Sequence, residues 1–190
     1  MTVPPPSDLP TVIVLASGRG ERFRASGGAQ HKLAAPLGGK PVLDRTLDAV
    51  RASGLPWHLE DAGHPGMGDS IAAAVRATAR AAGWLVLPAD LPLVQPATLQ
   101  KVAAALAAGA AAVQPVHGGQ RGHPVGFGPA QREALSQLTG ERGAAAVLQA
   151  LRARGEVREL ALDDIGIVTD IDTLADLAAA EALLRLNPSR

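Results

Sequence analysis

Short apolar runs alternate with amphipathic helical patterns along most of this chain, and this alternation constrains its fold more than any other feature. Strands that alternate with helices predict parallel pairing through crossover helices. The chain is therefore expected to form an α/β fold with three layers and a mostly parallel sheet. The predicted strands are residues 11–16, 57–60, 84–87, 111–115, 123–127 and 157–160. The predicted helices are residues 42–53, 69–82, 96–108, 129–138, 143–154 and 174–184.

The first predicted strand runs directly into a loop that is rich in glycine and arginine. Gly18 and Gly20 allow backbone N–H groups to approach phosphate oxygens, because no Cβ stands in the way. Arg19, Arg22 and Lys32 add positive charge to the same region. The spacing fits neither a Walker P-loop nor a Gly-x-Gly-x-x-Gly motif, since no Gly-Lys-Ser/Thr follows and a phenylalanine occupies the position of the third glycine. The stretch predicts another kind of phosphate loop, suited to a nucleoside triphosphate.

A second motif, Leu-Pro-Ala-Asp-Leu-Pro, places Asp90 at the carboxyl end of a predicted strand. The two prolines fix φ and hold the turn rigid. A carboxylate at an exposed strand end suits Mg²⁺, which binds one or two carboxylates together with substrate phosphates. Asp90 would equally well cap the helix that begins near Pro96, or face solvent. The phosphate loop favours the metal interpretation.

Two more carboxylates lie just before the last predicted helix. Asp170 and Asp172 are alternate residues, so they share one face of an extended segment and both could reach one cation. Thr173, with Asp176 three residues later, resembles a helix N-terminal capping box, and we expect Thr173 to cap the last helix. Asp172 is interpreted as a second metal contact, and Asp170 is the weaker candidate.

Two other motifs are ambiguous on spacing alone. His123, before Pro124, begins a predicted strand and could face a cleft, although an isolated histidine is more often structural. The turn around Gly68, with Asp69 or Ser70 capping the next helix, would present N–H groups to a base, ribose or phosphate. An ordinary loop and N-cap explains the same turn. The remaining histidines have no metal-ligand spacing and are predicted to lie at the surface or in loops: His31, His58, His64 and His117.

Composition excludes several classes of function. The formal net charge is zero and tyrosine is absent, which argues against nucleic-acid binding by bulk charge or base stacking. The chain has no cysteine, so disulfides, thiolate metal sites and cysteine nucleophiles are excluded. No apolar run reaches membrane-spanning length and the proline-rich start is unlike a signal peptide, so a cytoplasmic protein is expected. Residues 1–10 predict a flexible tail, and residues 11–190 a single domain.

Taken in order, these motifs resemble those of the nucleotidyltransferases that complete the molybdenum cofactor, namely the molybdenum cofactor cytidylyltransferases and guanylyltransferases. The resemblance extends from about Thr11 to Leu184, and its specificity lies in the order of short motifs. The matching segments are Leu15-Ala16-Ser17-Gly18 with Arg22 and Lys32-Leu33, then Pro-Leu-Gly-Gly-Lys-Pro-Val-Leu at residues 36–43, Gly-Met-Gly-Asp-Ser-Ile at 66–71, Leu-Pro-Ala-Asp-Leu-Pro-Leu-Val at 87–94, Gly-His-Pro-Val at 122–125 and Asp-Ile-Asp-Thr at 170–173.

The resemblance implies a single Rossmann-like domain of the glycosyltransferase-A type. It implies transfer of a nucleoside monophosphate from a nucleoside triphosphate, with Mg²⁺, to the terminal phosphate of a molybdopterin-type substrate, releasing pyrophosphate. A molybdoenzyme or its chaperone would be the partner that receives the product. By the same resemblance, the nucleotide-binding residues are Leu15, Ala16, Ser17, Gly18, Arg19, Gly20, Gly68, Asp69 and Ser70; the catalytic residues are Arg22, Lys32 and Asp90; the metal ligands are Asp90 and Asp172; and His123 and Pro124 face the acceptor.

The third residue of the opening motif favours CTP as the nucleotide. This residue tends to be alanine in the cytidine enzymes of the family and glycine in the guanosine enzymes. Here it is Ser17. Any side chain at this position would crowd the larger purine base.

The chain departs from the family pattern in three places. Residues 24–31 are an insertion before the lysine of the first motif, and residues 54–66 are too short for the family's second βα unit. Ala145 stands where a family motif has arginine. Two alternatives therefore stay open. One is the same fold and chemistry with GTP or another phosphate acceptor, and the other is a non-catalytic relative that binds nucleotide or cofactor.

Overall fold

The computed structural model describes residues 8–186. Its strands are β1 (Thr11–Leu15), β2 (Pro36–Leu37), β3 (Lys40–Pro41), β4 (Trp57–Glu60), β5 (Trp84–Pro88), β6 (Ala112–His117), β7 (Gln120–Arg121), β8 (Val125–Phe127) and β9 (Val157–Ala161). Its α-helices are α1 (Glu21–Ala25), α2 (Val42–Ala52), α3 (Met67–Ala77), α4 (Pro96–Ala107), α5 (Arg132–Ser136), α6 (Ala145–Ala153) and α7 (Leu174–Leu186). Short 3₁₀ turns occur at Lys32–Ala34, Pro129–Gln131 and Ile165–Val168.

Seven of these strands form one sheet in the order β4–β1–β5–β8–β6–β9, with β7 beside β8 on the same edge of β6. Strand β1 pairs with β4 and β5 in parallel, and β6 pairs with β9 in parallel. Strand β8 is antiparallel to both of its neighbours, β5 and β6. Five strands therefore point in one direction and end at the same edge. This topology confirms the predicted three-layer fold with a mostly parallel sheet.

The two faces of the sheet are covered by different helices. Val12 belongs to an apolar cluster that includes Val50 of α2 and Val102 of α4. Ile13, one residue later, belongs to a second cluster with Val75 of α3. Because successive side chains of a strand point to opposite faces, β1 needs apolar residues on both faces to contact both helix layers. This explains the continuous apolar run at residues 12–15.

The second βα unit is short, as the sequence predicted. Strand β4 is the outermost strand on its side of the sheet among residues 8–186, and residues 61–66 connect it directly to α3. Trp57, at the start of this edge strand, is 40% exposed, and the guanidinium of Arg51 lies 5.6 Å from the centre of its ring.

Helix α3 differs from the prediction at both ends. It begins at Met67 after an N-cap at Gly66, and no side chain caps it, so the expectation that Asp69 or Ser70 caps this helix is wrong. It ends at Ala77 rather than near residue 82. Thr78 is the C-cap, and both its N–H and its hydroxyl donate to the Ala74 carbonyl, at 3.0 and 2.7 Å.

Two other predicted elements are shorter than expected. The predicted helix at residues 129–138 is a 3₁₀ turn followed by the five-residue α5. Strand β8 begins at Val125 rather than at His123, because Pro124 has no N–H and the His123 N–H donates to the Ile167 carbonyl at 3.0 Å, outside the sheet.

No helix within residues 8–186 has the length and apolar content needed to cross a membrane. Most of the predicted tail, residues 1–7, lies outside the described residues. Of residues 8–10, Asp8 and Leu9 are exposed and Pro10 is buried directly before β1.

Candidate active site

A cleft of about 810 Å³ opens where β1 and β5 end. Ligands bind outside the carboxyl ends of strands in open α/β sheets, because the loops there are free of sheet pairing. The predicted site residues that line this cleft are Leu15, Ser17, Gly18, Arg19, Gly20, Arg22, Lys32, Ser70, Asp90, His123 and Asp172. The structure thus brings together residues from every motif of the resemblance except residues 36–43.

The glycine-rich loop leaves β1 and turns sharply into α1. Gly20 is the N-cap of this helix and has a φ of 63°, a conformation that favours glycine. The Ser17 hydroxyl donates to the carbonyl of Glu60 at 3.3 Å, and a guanidinium nitrogen of Arg24 donates to the Arg19 carbonyl at 2.5 Å. The loop is therefore held by the end of β4 on one side and by α1 on the other.

Lys32 lies at the centre of the charged part of the cleft. Its Nζ is 2.6 Å from an oxygen of Asp90 and 2.7 Å from an oxygen of Asp172. The other oxygen of Asp172 is 2.6 Å from a guanidinium nitrogen of Arg22. Burial lowers the pKa of Lys32, but the carboxylates of Asp90 and Asp172 outweigh burial and hold that pKa above its ordinary value. The two positive charges of Arg22 and Lys32 therefore balance the two negative charges of Asp90 and Asp172.

Asp90 retains one free acceptor. Its side chain is only 15% exposed, so the expectation of an exposed strand end is wrong for this residue. Its Oδ1 is buried and has no hydrogen-bond partner, which is costly unless a ligand supplies one. Within residues 8–186 no group of three or more histidine, aspartate or glutamate side chains is arranged to hold a metal ion. Asp90 and Asp172 therefore fit a cation that takes its remaining ligands from substrate oxygens and water, as Mg²⁺ does.

The segment that carries Asp172 is anchored to the segment that carries Asp90. The N–H of Ile171 donates to the Asp90 carbonyl at 3.0 Å. Asp164, which is 1% exposed, accepts hydrogen bonds from the Gln95 N–H, the Thr98 hydroxyl and the Gly166 N–H at 2.7–3.0 Å. Three donors satisfy this buried carboxylate and fix the turn before Asp172 against the start of α4.

The predicted cap of the last helix is confirmed. The Thr173 N–H and hydroxyl both lie within hydrogen-bond distance of one Asp176 oxygen, at 2.7 and 2.8 Å, and the Asp176 N–H donates back to the Thr173 hydroxyl. This is a reciprocal capping box with aspartate in place of glutamate. The box fixes the backbone directly after Asp172, because the Asp172 N–H also donates to Asp176.

His123 lines the cleft beside the charged cluster. Burial lowers its pKa below the ordinary value, and the Val86 carbonyl and the carboxylates of Asp90 and Asp170 offset only part of this effect. Its Nδ1 is buried without a hydrogen-bond partner. Burial therefore favours the neutral imidazole, which carries one free acceptor nitrogen.

The opposite wall of the cleft is the start of α3 together with the loop after α5. Gly66, Met67 and Ser70 line the cleft, whereas Gly68 and Asp69 face the neighbouring loop. The Gly68 N–H donates to the Gly140 carbonyl at 2.7 Å, and the Asp69 carboxylate accepts from the Gly140 N–H at 2.9 Å. Ala16 and Pro124 also lie outside the lining of the cleft.

Several residues at the cleft were not selected from the sequence. His31 is a loop residue, as predicted, but it lies beside the cleft, where its Nε2 donates to the Gly18 carbonyl at 2.7 Å. His64 lines the cleft and lies 3.3 Å from the buried carboxylate of Glu60. The cleft lining also includes Gln120, Arg121 and Glu141. Asp170, the weaker metal candidate from the sequence, lines the cleft as well. The sequence offers one signal for His31, which is its place at the end of the insertion, next to Lys32.

The structure is similar to several solved structures. It aligns with Rv0371c from Mycobacterium tuberculosis H37Rv over 92% of this chain and 97% of that chain, at 24% identity and a TM-score of 0.74. Rv0371c has also been solved in complex with manganese. A nucleotidyl transferase from Methanothermobacter, Mth528, aligns over 95% and 100% of the two chains, at 21% identity and a TM-score of 0.74. Molybdopterin-guanine dinucleotide biosynthesis protein A from Archaeoglobus fulgidus aligns over 93% and 99%, at 19% identity and a TM-score of 0.63.

These similarities establish a shared fold. No curated protein sequence matches the chain. A family model described as a MobA-like NTP transferase domain matches residues 48–157, which is more than half of the chain and includes β5 with Asp90. The chain belongs to the family of MobA-like NTP transferase domains.

Proposed function

We propose that this protein transfers CMP from CTP to the terminal phosphate of a molybdopterin-type cofactor, with a divalent cation, and releases pyrophosphate. The observation that carries the proposal is the charged cluster beside the glycine-rich loop, in which Lys32 lies between Asp90 and Asp172 and one oxygen of Asp90 remains free. We further propose that residues 11–190 act as one domain, and that a molybdoenzyme or its chaperone receives the product.

The proposed reaction exchanges one phosphoanhydride bond for another. An oxygen of the acceptor phosphate attacks the α-phosphorus of the nucleotide, and the bond from that phosphorus to the pyrophosphate oxygen breaks. The acceptor oxygen is already ionised, so no general base is needed. Catalysis then depends on holding two anions in line and on neutralising their charge. The side chains of Arg22 and Lys32 would neutralise the charge of the triphosphate. The backbone N–H groups of residues 15–20 would donate hydrogen bonds to it.

The charge balance of the cluster supports a requirement for a divalent cation. Arg22 and Lys32 are already compensated by Asp90 and Asp172, so a triphosphate alone would meet little net positive charge. A bound Mg²⁺ or Mn²⁺ would supply Lewis-acid neutralisation of the phosphate oxygens. Asp90 and Asp172 would hold it, and this would release Lys32 to contact the phosphates.

The nucleoside and the acceptor would occupy opposite ends of the cleft. Ser17 supports CTP over GTP, because its side chain occupies space that a purine would need. Ser70 and the start of α3 would contact the nucleoside. Gly68 and Asp69 would contribute indirectly, because their hydrogen bonds to Gly140 hold the neighbouring loop in place. On the other side, His123 would face the acceptor, and Pro124, outside the lining, would hold the backbone beside it.

A second candidate is the same reaction with another phosphate acceptor. Ala145, which stands where the resemblance leads one to expect arginine, is exposed and does not line the cleft. An arginine that would help to hold the acceptor in a molybdopterin-specific enzyme is therefore missing at this position.

The test is pyrophosphate release from CTP, GTP, ATP and UTP, each with Mg²⁺ or Mn²⁺ and molybdopterin-type cofactor. We expect release with CTP that EDTA abolishes. Release with GTP alone would overturn the base assignment but keep the chemistry. Nucleotide binding without release, in this assay, would favour another acceptor. The absence of both binding and release would contradict the proposed function.

A further inference from the structure

We infer that His31 is a positioning residue that holds the glycine-rich loop in the shape that receives the triphosphate. The inference rests on the proposed function, because it assigns a role at the same site. His31 belongs to the insertion at residues 24–31, and nothing in the family pattern accounts for it. Its side chain contacts the loop at one end and the start of the lysine-bearing turn at the other.

The two ring nitrogens of His31 have distinct partners. The Leu33 N–H donates to Nδ1 at 3.3 Å, and the same contact caps the 3₁₀ turn at Lys32–Ala34. An Nδ1 that accepts a hydrogen bond carries no proton, so the proton of the neutral ring is on Nε2. Nε2 therefore donates to the Gly18 carbonyl, 2.7 Å away. One imidazole thus joins the phosphate loop to the turn that presents Lys32.

The ring also packs on the loop. A Cβ placed on Gly20 would lie 3.3 Å from two atoms of the His31 ring and 3.6 Å from Cγ of Lys32. Gly20 therefore has a left-handed backbone conformation, and its lack of a Cβ allows the imidazole ring of His31 to pack directly against it. The histidine, the glycine turn and the base of the lysine side chain form one packed unit.

Holding the Gly18 carbonyl has a direct effect on the next peptide group. In a trans peptide, the carbonyl and the following N–H lie in one plane and point in opposite directions. The peptide between Gly18 and Arg19 is trans, so a carbonyl that points at His31 turns the Arg19 N–H away from His31. We assign this N–H to a phosphate oxygen. This hydrogen bond from His31 Nε2 to the Gly18 carbonyl, here called the tether, also keeps the negative carbonyl oxygen away from the phosphates.

Other parts of the insertion brace the same unit. Arg24 donates to the Arg19 carbonyl, the next acceptor along the loop. The Ser26 hydroxyl accepts from the Leu174 N–H at 3.0 Å, at the start of α7 and close to Asp172. The insertion thus connects the phosphate loop to the turn that carries Lys32 and to the segment beside Asp172, and His31 supplies its hydrogen bond to Gly18.

Two conservative variants separate the two contacts of His31. His31→Gln keeps an amide donor that reaches the Gly18 carbonyl, whereas His31→Asn keeps a short acceptor for the Leu33 N–H and loses the donor to Gly18. If the tether positions the loop, His31→Gln binds CTP with Mg²⁺ within about twofold of wild type, and His31→Asn and His31→Ala bind about five- to tenfold more weakly. The measurement is isothermal titration calorimetry, with His117→Gln as the control outside the cleft. An asparagine variant that binds like wild type, or a glutamine variant as weak as alanine, would overturn the inference.

A second measurement needs no nucleotide. Backbone ¹⁵N order parameters of Gly18, Arg19 and Gly20 in the ligand-free protein report the rigidity of the loop directly. They should fall in His31→Asn and His31→Ala and stay at the wild-type level in His31→Gln. Unchanged order parameters in all three variants would contradict the tether. If wild type binds no nucleotide at all, the proposed function fails, while the order parameters still decide whether His31 holds the loop.

Discussion

On one wall of the cleft Lys32 is held between the carboxylates of Asp90 and Asp172, and on the other the start of α3 packs against the backbone at residue 140. The first, the charged wall, consists of Arg22, Lys32, Asp90 and Asp172. The second, the glycine wall, consists of Gly66 and Gly68 against Thr139 and Gly140, where a Cβ on either of the first two would lie 2.4–2.6 Å from backbone atoms.

The two walls respond differently to a ligand. Ion pairs can exchange partners when a ligand brings new charges, so the charged wall can rearrange around a cation and a triphosphate. Backbone atoms in van der Waals contact have no alternative partner and cannot rearrange without separating the two segments. The charged wall is therefore suited to chemistry, and the glycine wall to holding a fixed shape for the nucleoside. The following predictions test this division.

The largest effect is expected from Asp90→Asn on the charged wall. The amide keeps an oxygen that can accept from Lys32, but it removes the charge that would hold the cation. We expect pyrophosphate release to fall by about 10²–10³-fold or more. The variant should still fold, with a somewhat lower melting temperature, because Lys32 loses the charge of one partner and keeps its ion pair with Asp172. Asp163→Asn is the matched control, because its carboxylate is fully exposed and outside the cleft. Normal turnover by Asp90→Asn would show that the metal assignment is wrong.

The next largest effect is expected on the glycine wall. In Gly68→Ala the new Cβ would lie 2.6 Å from the Thr139 carbonyl oxygen, so the loop must move away from α3. Overpacking of this kind costs about 1–3 kcal/mol in the free energy of unfolding, measured by urea denaturation. Gly18→Ala is the matched change in the glycine-rich loop beside the charged wall. A Cβ there meets no atom within 4 Å, so stability should be unchanged while nucleotide binding weakens. Equal stability of the two variants would remove the distinction between the walls.

A smaller effect is expected from the ionisation of Lys32. Its folded pKa lies above the ordinary value of 10.5, so the ion pairs add stability that is fully present below pH 10.5 and is lost as the pH rises through the folded pKa. Lys32→Met forms no ion pair, so it lacks this contribution to stability at every pH. Urea denaturation in EDTA from pH 8 upward should therefore show the stability difference between wild type and Lys32→Met shrinking above about pH 10.5. A difference that stays constant would contradict the ion-pair interpretation.

His123 should give a similar effect at the opposite end of the pH range. Its folded pKa lies below the ordinary value of 6.5, so its contribution is present above pH 6.5 and is lost as the pH falls through the folded pKa. Acid denaturation of His123→Asn should lack this component, whereas the control His117→Asn should retain it. The same acid dependence in wild type and His123→Asn would show that His123 is not held in its neutral form.

The fold was largely predictable because its signals are local. Strands such as β1 and β5 pack against helices on both faces, so nearly all of their residues are apolar. Such uninterrupted apolar runs can be recognised directly in the sequence. The capping box at Thr173 is equally local, since both partners lie within one helical turn. Helix ends were less predictable. Helix α3 starts early because its first turn packs on Gly140, which is distant in the sequence.

The candidate site was predictable only where a motif marked it. Lys32 lies 58 residues from Asp90 and 140 residues from Asp172 in the sequence, and no spacing rule joins such positions. They were grouped through the resemblance of their motifs to a family. Asp164 and His31 carried no such motif. A buried carboxylate with three donors looks, in the sequence, like any surface aspartate, and an imidazole tether depends on the path of an insertion.

The anchoring of Asp172 to Asp90 has a consequence for the synthesis of the chain. The ribosome delivers the glycine-rich loop, Lys32 and Asp90 first, and the turn fixed by Asp164 emerges only near the end. Until then Lys32 has one carboxylate partner instead of two, and the proposed cation site has one of its two carboxylates. An unfinished chain therefore carries most of the proposed nucleotide site, and the charged wall is complete only after the turn before Asp172 has been synthesised.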